Sequence, residues 1–319
     1  MQADMPLDPA AKRFLDMIAA AASEGRSPST LNERRKAFAK LMRFTRADVA
    51  PVTGIDGTIT GPAGDIPYRL YAPANDATDV LPGFVFFHGG GMVGGSIETH
   101  DPVAAALAQT TGCRLVSVDY RLAPEHMFPA AVEDAITATR WVAERAPSLG
   151  IDAERLVIGG DSAGATLAAV VCQELRRSGG PAISAQCLIC PALDFEDTSP
   201  SREAFAENHL LDMATLEADL ALYLPAGTAR SNPLVSPLRA LDLSGLPPAI
   251  IHTAEFDPMR DEGNAYAKRL MAAGVVVEHV CHDGMIHNFH AMGAILPQGR
   301  QVLSQIGEQV RRAVAADLI

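Results

Sequence analysis

Leu156-Val157-Ile158-Gly159-Gly160-Asp161-Ser162-Ala163-Gly164 is the stretch whose reading decides the fold. Three branched apolar residues read as a buried strand. Residues from Ala163 to Arg177 follow with helical spacing. Gly160 to Gly164 is therefore a G-x-S-x-G turn between a strand and a helix. Such a turn is tight enough to strain the backbone at Ser162 and to raise its Oγ above the strand end. Glycines on either side let strand and helix approach closely. The helix start adds free N–H groups and a positive dipole end. Ser162 is thus the candidate nucleophile.

Working outward, other short apolar runs are Phe84 to Phe87, Leu115 to Val118, Gln186 to Ile189 and Ala249 to His252. They read as strands buried on both faces, hence a parallel sheet. Helical stretches alternate with them at Val103 to Thr111, Ala130 to Arg145 and Asp261 to Ala273. This alternation predicts an α/β fold with a doubly wound, mostly parallel sheet and helices on both faces. Ligands on such sheets bind beyond the C-terminal strand ends, so the residues after each run are the candidates for a site. Two amphipathic stretches, Ala10 to Ala22 and Leu31 to Phe44, precede the alternation, with Ser27-Pro28-Ser29 between them. Ala192 to Val235 interrupts it, carrying Asp194, Glu196, Asp197, Pro200 and an amphipathic run from Met213 to Leu224. Each is either a surface segment or part of a helical cap.

His88-Gly89-Gly90-Gly91 follows the Phe84 strand. A glycine run there can aim bare backbone N–H groups at a developing oxyanion, each donor worth a few kcal/mol in the transition state. Gly90, Gly91 and Ala163 are the expected donors of an oxyanion hole, with Gly89 shaping the turn and His88 orienting the loop. Met92 beside the loop and Asp161 beside the serine are expected to border the substrate. Gly89-Gly90-Gly91-Met92-Val93-Gly94 also matches G-x-G-x-x-G, and Asp119 ends a later strand, so a dinucleotide-binding oxidoreductase is a rival reading. Against it, Gly95, Ser96 and Pro102 delay the helix that should run on from the third glycine. No Lys-Ser/Thr pair follows, so the run is not a phosphate-binding P-loop.

An activated serine needs a base, and the base an orienting carboxylate. Asp257 lies past the Ala249 strand, and His287 past a further candidate strand, Val275 to Cys281. Their chain order, serine then acid then histidine, suits this turn. Asp261 is the alternative acid, although it also suits capping the helix that starts there. His282, at its strand end, and His290, inside the next helix, are alternative bases.

Lys+Arg 26 against Asp+Glu 38 leaves a net charge of −12, which repels phosphate backbones and disfavours nucleic acid. No apolar run approaches the ~20 residues of a membrane span. Met1 to Pro6 has no basic region before an apolar one, unlike a signal peptide. Five scattered cysteines suit reduced thiols, and the expected location is cytoplasmic. Cys187 and Cys190 form a C-x-x-C match within a strand, where residues three apart face opposite ways, so buried thiols are expected. His279, His282, His287 and His290 lack a matching carboxylate cluster, so no metal is expected.

Taken together these blocks resemble the bacterial carboxylesterases of the hormone-sensitive-lipase-like branch of the α/β-hydrolase family. The resemblance runs from about Tyr68 to the C-terminus. It rests on His88 to Gly91, Asp119-Tyr120-Arg121-Leu122-Ala123-Pro124-Glu125, Gly160 to Gly164, Asp257-Pro258-Met259-Arg260-Asp261-Glu262-Gly263 and Gly284-Met285-Ile286-His287. It implies a triad of Ser162, Asp257 and His287 acting without cofactor on short- to medium-chain esters. It implies a cap made of residues 1–50 and an insertion at about 195–235, over a catalytic domain of 51–319. Members often dimerise, so a homodimer is expected. Ala165 and Asn288 stand where the family favours glycine or a small residue, and Met92 and Met127 replace commoner aromatic or proline choices. A receptor on the same fold, which would have lost a triad member, is the competing binding-protein reading.

Overall fold

Strand β3 (Leu81–Phe87) buries every residue from Pro82 to Phe87. Its alternation sorts them between two cores. Phe84 and Phe86 enter one apolar cluster, and Val85 and Phe87 the other. This double burial is why the run is apolar without a break. The computed structural model describes residues 6–23, 30–49, 52–74, 80–196 and 198–315. Ser27 to Ser29 and Asp197 lie outside the described residues.

The chain begins with helices α1 (Pro9–Ser23) and α2 (Leu31–Thr45), then a hairpin of β1 (Thr53–Gly61) and β2 (Gly64–Ala72). After β3 come α3 (Ile97–Thr111), β4 (Arg114–Val118), α4 (Ala130–Arg145), β5 (Ile151–Asp161) and α5 (Ala163–Ser178). Next are β6 (Ala185–Ile189), a short α6 (Pro200–Ala204) and α7 (Met213–Tyr223). The chain closes with β7 (Ala249–Phe256), α8 (Arg260–Ala272), β8 (Val277–Ile286) and α9 (Pro297–Ala315).

These strands form one 8-stranded sheet in the order β1-β2-β4-β3-β5-β6-β7-β8. The β1–β2 and β2–β4 pairs are antiparallel and the rest are parallel. Residues of α4, α5 and α8 fill the core on one face. Residues of α1, α3 and α9 fill the core on the other. The doubly wound, mostly parallel sheet expected from the alternation is thus present. The hairpin of β1 and β2 was not anticipated. Its outer strand is largely exposed, so no continuous apolar run marks it.

Four local expectations are corrected. Helix α3 starts at Ile97, not Val103, because Ser96 and Thr99 close a capping box and Pro102 is accommodated inside the helix. Asp261 is not the cap of α8, whose N-cap position is Met259; Asp261 instead accepts the Ser201 N–H at 2.9 Å. His282 sits within β8, not at its end, and His290 lies in a 3₁₀ turn, Phe289–Ala291, rather than a long helix.

Candidate active site

Sheet order brings the ends of β3, β5, β7 and β8 to one rim. Ser162 stands between β5 and α5 with φ 50 and ψ −117, a strained backbone. Close packing enforces that turn. A Cβ on Gly160 would lie 2.4 Å from the Phe87 carbonyl oxygen, and one on Gly164 1.9 Å from it. The Ser162 N–H donates to the Ile189 oxygen at 2.9 Å, pinning the turn to the end of β6.

His287 follows β8, and its Nε2 is 3.1 Å from Ser162 Oγ. Its Nδ1 is 2.7 Å from Asp257 Oδ2. The second oxygen of Asp257 accepts the Met259 N–H at 2.8 Å, which fixes the carboxylate. Asp257 is fully buried and His287 nearly so. Burial alone would push His287 down, but the charge and hydrogen bond of Asp257, aided by Asp161, raise it above an ordinary histidine. Oxygen, imidazole and carboxylate thus form a continuous hydrogen-bonded relay.

The glycine loop faces this relay. Gly90 and Gly91 adopt φ 128 and 65, conformations that a side chain would resist. The Gly90 carbonyl accepts from Val93 and Gly94, closing a turn. Gly89 donates its N–H to Asp161 Oδ1 at 3.0 Å and is therefore already used. Among the described residues, no acceptor takes the Gly90 or Gly91 amide. Ala163 opens α5, where its N–H has no intrahelical partner.

Asp161 lines the cavity, but its carboxylate is turned inward and 1% exposed. Its Oδ2 lies 3.3 Å from His100 Nε2 and 3.5 Å from His290 Nε2. Burial opposes its charge, yet His100 and His290 hold its carboxyl well below the usual range. His88 packs on the ring of Tyr120 at 4.4 Å, and the Tyr120 hydroxyl donates to the His88 oxygen at 2.7 Å. These buried groups shore up the loop from below. Met92 is buried with φ 62 and lines the cavity.

The other candidates lie elsewhere. His282 Nε2 is 2.8 Å from His252 Nδ1, and both rings are pushed down, chiefly by burial. His279 lies beside Thr253. Cys187 and Cys190 are buried. The Cys190 sulfur is within 4.8 Å of ligand atoms of Asp257 and His287, but burial and Asp257 push its thiol up, which opposes metal binding.

A cavity of about 460 Å³ opens over Ser162. Its walls come from α2, the glycine loop and α7. Sequence reasoning missed three charged residues here. Arg35 of α2 donates to the Val93 oxygen at 2.6 Å and the Ala123 oxygen at 2.8 Å, and pairs with both Glu125 oxygens. Arg34 bonds to Asp219 of α7. Helical spacing marked α2 as amphipathic, but no local signal tells which partner a surface arginine meets 90 or more residues away.

The α/β-hydrolase-fold family model matches residues 84–291. The chain belongs to the α/β-hydrolase family. Within it, carboxylesterase NlhH of Mycobacterium tuberculosis is 38% identical over 97% of each chain. Ethyl acetate hydrolase of Pseudomonas putida is 34% identical, covering 97% of this chain and 99% of its own. A solved ester hydrolase from the metagenome of Lake Arreo superposes with a TM-score of 0.94 at 41% identity, covering 96% of this chain and 98% of that one. These likenesses place the α/β hydrolase in the hormone-sensitive-lipase-like branch, as a serine carboxylesterase. Neither the receptor nor the oxidoreductase reading is favoured. Among the described residues, no helix is long and apolar enough to cross a membrane.

Proposed function

We propose that Ser162, His287 and Asp257 are the catalytic triad of this carboxylesterase. The observation that carries the reading is His287 Nε2 standing 3.1 Å from Ser162 Oγ while its other nitrogen is held by Asp257. Ser162 Oγ attacks the ester carbonyl carbon, and its proton passes to His287 Nε2. The carbonyl oxygen becomes an anion held by the amides of Gly90, Gly91 and Ala163. The intermediate collapses and expels the alcohol, which takes the proton from His287. Water, deprotonated by the same imidazole, then attacks the acyl-enzyme and releases the acid. Asp257 holds the imidazole tautomer and stabilises the charged ring.

The substrates are short- to medium-chain carboxylic esters. A cavity of about 460 Å³ with a largely apolar wall suits an acyl group of that size, and the similar ethyl acetate hydrolase acts on a short one. Residues 1–50 and about 195–235 are the cap over the domain of 51–319; α2 and α7 from these segments line the cavity. Met92 borders the bound ester, whereas Asp161 serves the site from beneath through Gly89. A cytoplasmic homodimer is the proposed state, supported by five free cysteines and by β8 standing at the sheet edge.

The test is Ser162→Ala, assayed on p-nitrophenyl esters from acetate to laurate. It abolishes turnover while circular dichroism stays that of the wild type. Substantial activity in the variant sinks the triad, and a wild-type preference for the longest esters sinks the substrate range. Light scattering of the purified protein reads the oligomeric state.

A further inference from the structure

The cavity wall is largely apolar, yet it carries a nearly buried carboxylate. Asp219 on α7 is 7% exposed, one helical turn before Tyr223. Arg34 of α2 donates to it from 185 residues away in the chain. The same carboxylate packs directly on the glycine loop: a Cβ built on Gly91 would lie 2.4 Å from Asp219 Oδ2. Asp219 therefore rests on the α-carbon of a residue whose amide is assigned to the oxyanion.

That position is awkward for an acid. A carboxylate removed from water needs a partner. Burial pushes Asp219 up to about 6 despite Arg34, so it is charged at neutral pH. A negative charge beside a developing oxyanion raises the barrier unless it is cancelled. Other ionisable groups around it are Asp212 at the start of α7, Arg35 beside Arg34, Tyr223, and Asp161 and His287 around the serine. Asp212 adds like charge. Arg35 is engaged by Glu125 and by the carbonyls of Val93 and Ala123, so it does not stand in for Arg34.

We infer that Arg34 and Asp219 are positioning residues for the oxyanion site: the pair joins the two proposed cap segments across the cavity, Asp219 props Gly91, and Arg34 cancels its charge. The inference rests on the oxyanion assignment above. The two functions separate by mutation. Without Arg34, Asp219 keeps its place but opposes the oxyanion whenever it is ionised. Without the charge on Asp219, the opposition disappears.

The test compares R34Q, D219N and R34Q/D219N on p-nitrophenyl butyrate from pH 6 to 9, with melting temperatures alongside. R34Q is expected to lose about tenfold or more in kcat at pH 8. Its KM moves much less, and its kcat profile gains a falling alkaline limb that the wild type lacks. D219N loses severalfold less than R34Q. The double variant recovers most of the R34Q loss and shows no alkaline limb. Equal losses in all three variants without that limb, or a wild-type profile in R34Q, overturn the inference. If R34Q does not fold, the double variant, which buries no lone carboxylate, decides. A kcat more than about tenfold below wild type there overturns the role of charge. Ser162→Ala tests the underlying triad separately, since its outcome does not depend on Arg34 or Asp219.

Discussion

Asp257→Asn is isosteric, so its effect follows from hydrogen-bond arithmetic. Asp257 accepts two bonds, from Met259 N–H at 2.8 Å and from His287 Nδ1 at 2.7 Å. Asparagine has one oxygen and one NH₂ group. If its oxygen keeps the Met259 bond, the NH₂ faces His287 Nδ1 and forces the proton onto Nε2. That nitrogen then donates to Ser162 Oγ and accepts nothing from it. If the amide is turned over, NH₂ faces the Met259 N–H, and a buried donor is left without an acceptor. The second arrangement costs about 1–3 kcal/mol of stability, so the first, which leaves none of these bonds unmade, prevails with a smaller loss. The catalytic loss is far larger, because the wrong tautomer removes the base: about 10⁴-fold in kcat, or ~5.5 kcal/mol. The pH profile moves as well. The His287 pKa is raised, so the wild-type rate falls on acidification from above the ordinary histidine value of about 6.5. Without the Asp257 charge the residual acid limb shifts to lower pH. Steady-state kinetics on p-nitrophenyl butyrate between pH 5 and 9, with a urea melt as control, read all three quantities. A folded variant that keeps more than about a tenth of wild-type kcat refutes this assignment of Asp257.

Gly164→Ala should destabilise by about 1–3 kcal/mol and depress activity, because its Cβ meets the Phe87 carbonyl at 1.9 Å; thermal melts and kcat check both. Phe86→Ala, at a fully buried core position, should cost about 3–5 kcal/mol in urea titration. Asp161→Asn should lower kcat, because the single amide oxygen cannot serve both the Gly89 N–H and the side facing His100 and His290, and should flatten the acid side of the stability curve. The native Asp161 carboxyl is held below its usual value, so its stabilisation is present above about pH 4 and is lost as pH falls towards the native value. Stability curves that stay parallel down to the lowest folded pH contradict that account.

The alternation of apolar runs and helices was legible because buried parallel strands must be apolar on both faces, as Val85 and Phe86 illustrate. The turn at Ser162 was legible because only small residues fit where Gly164 meets the Phe87 carbonyl. The hairpin of β1 and β2 was not, because a largely exposed edge strand carries no such constraint.

Which acid and which histidine meet the serine was a different matter. The residues alone left Asp261 beside Asp257, and His282 and His290 beside His287. All are separated from Ser162 by about a hundred residues or more, and local pattern says nothing about distance across such loops. Only the parallel register of β7 and β8 sends Asp257 and His287 to one rim, while Asp261 goes to Ser201, His282 to His252 and His290 to Asp161. Arg34 and Asp219 carry no sequence signal at all, since each is an ordinary charge on a helix until α2 and α7 face each other across the cavity. Sequence by itself therefore determined the parallel part of the sheet, the serine turn and the glycine loop, whose constraints are short-range and steric. The tertiary structure decided which charges meet, because pairing depends on where separate strands end.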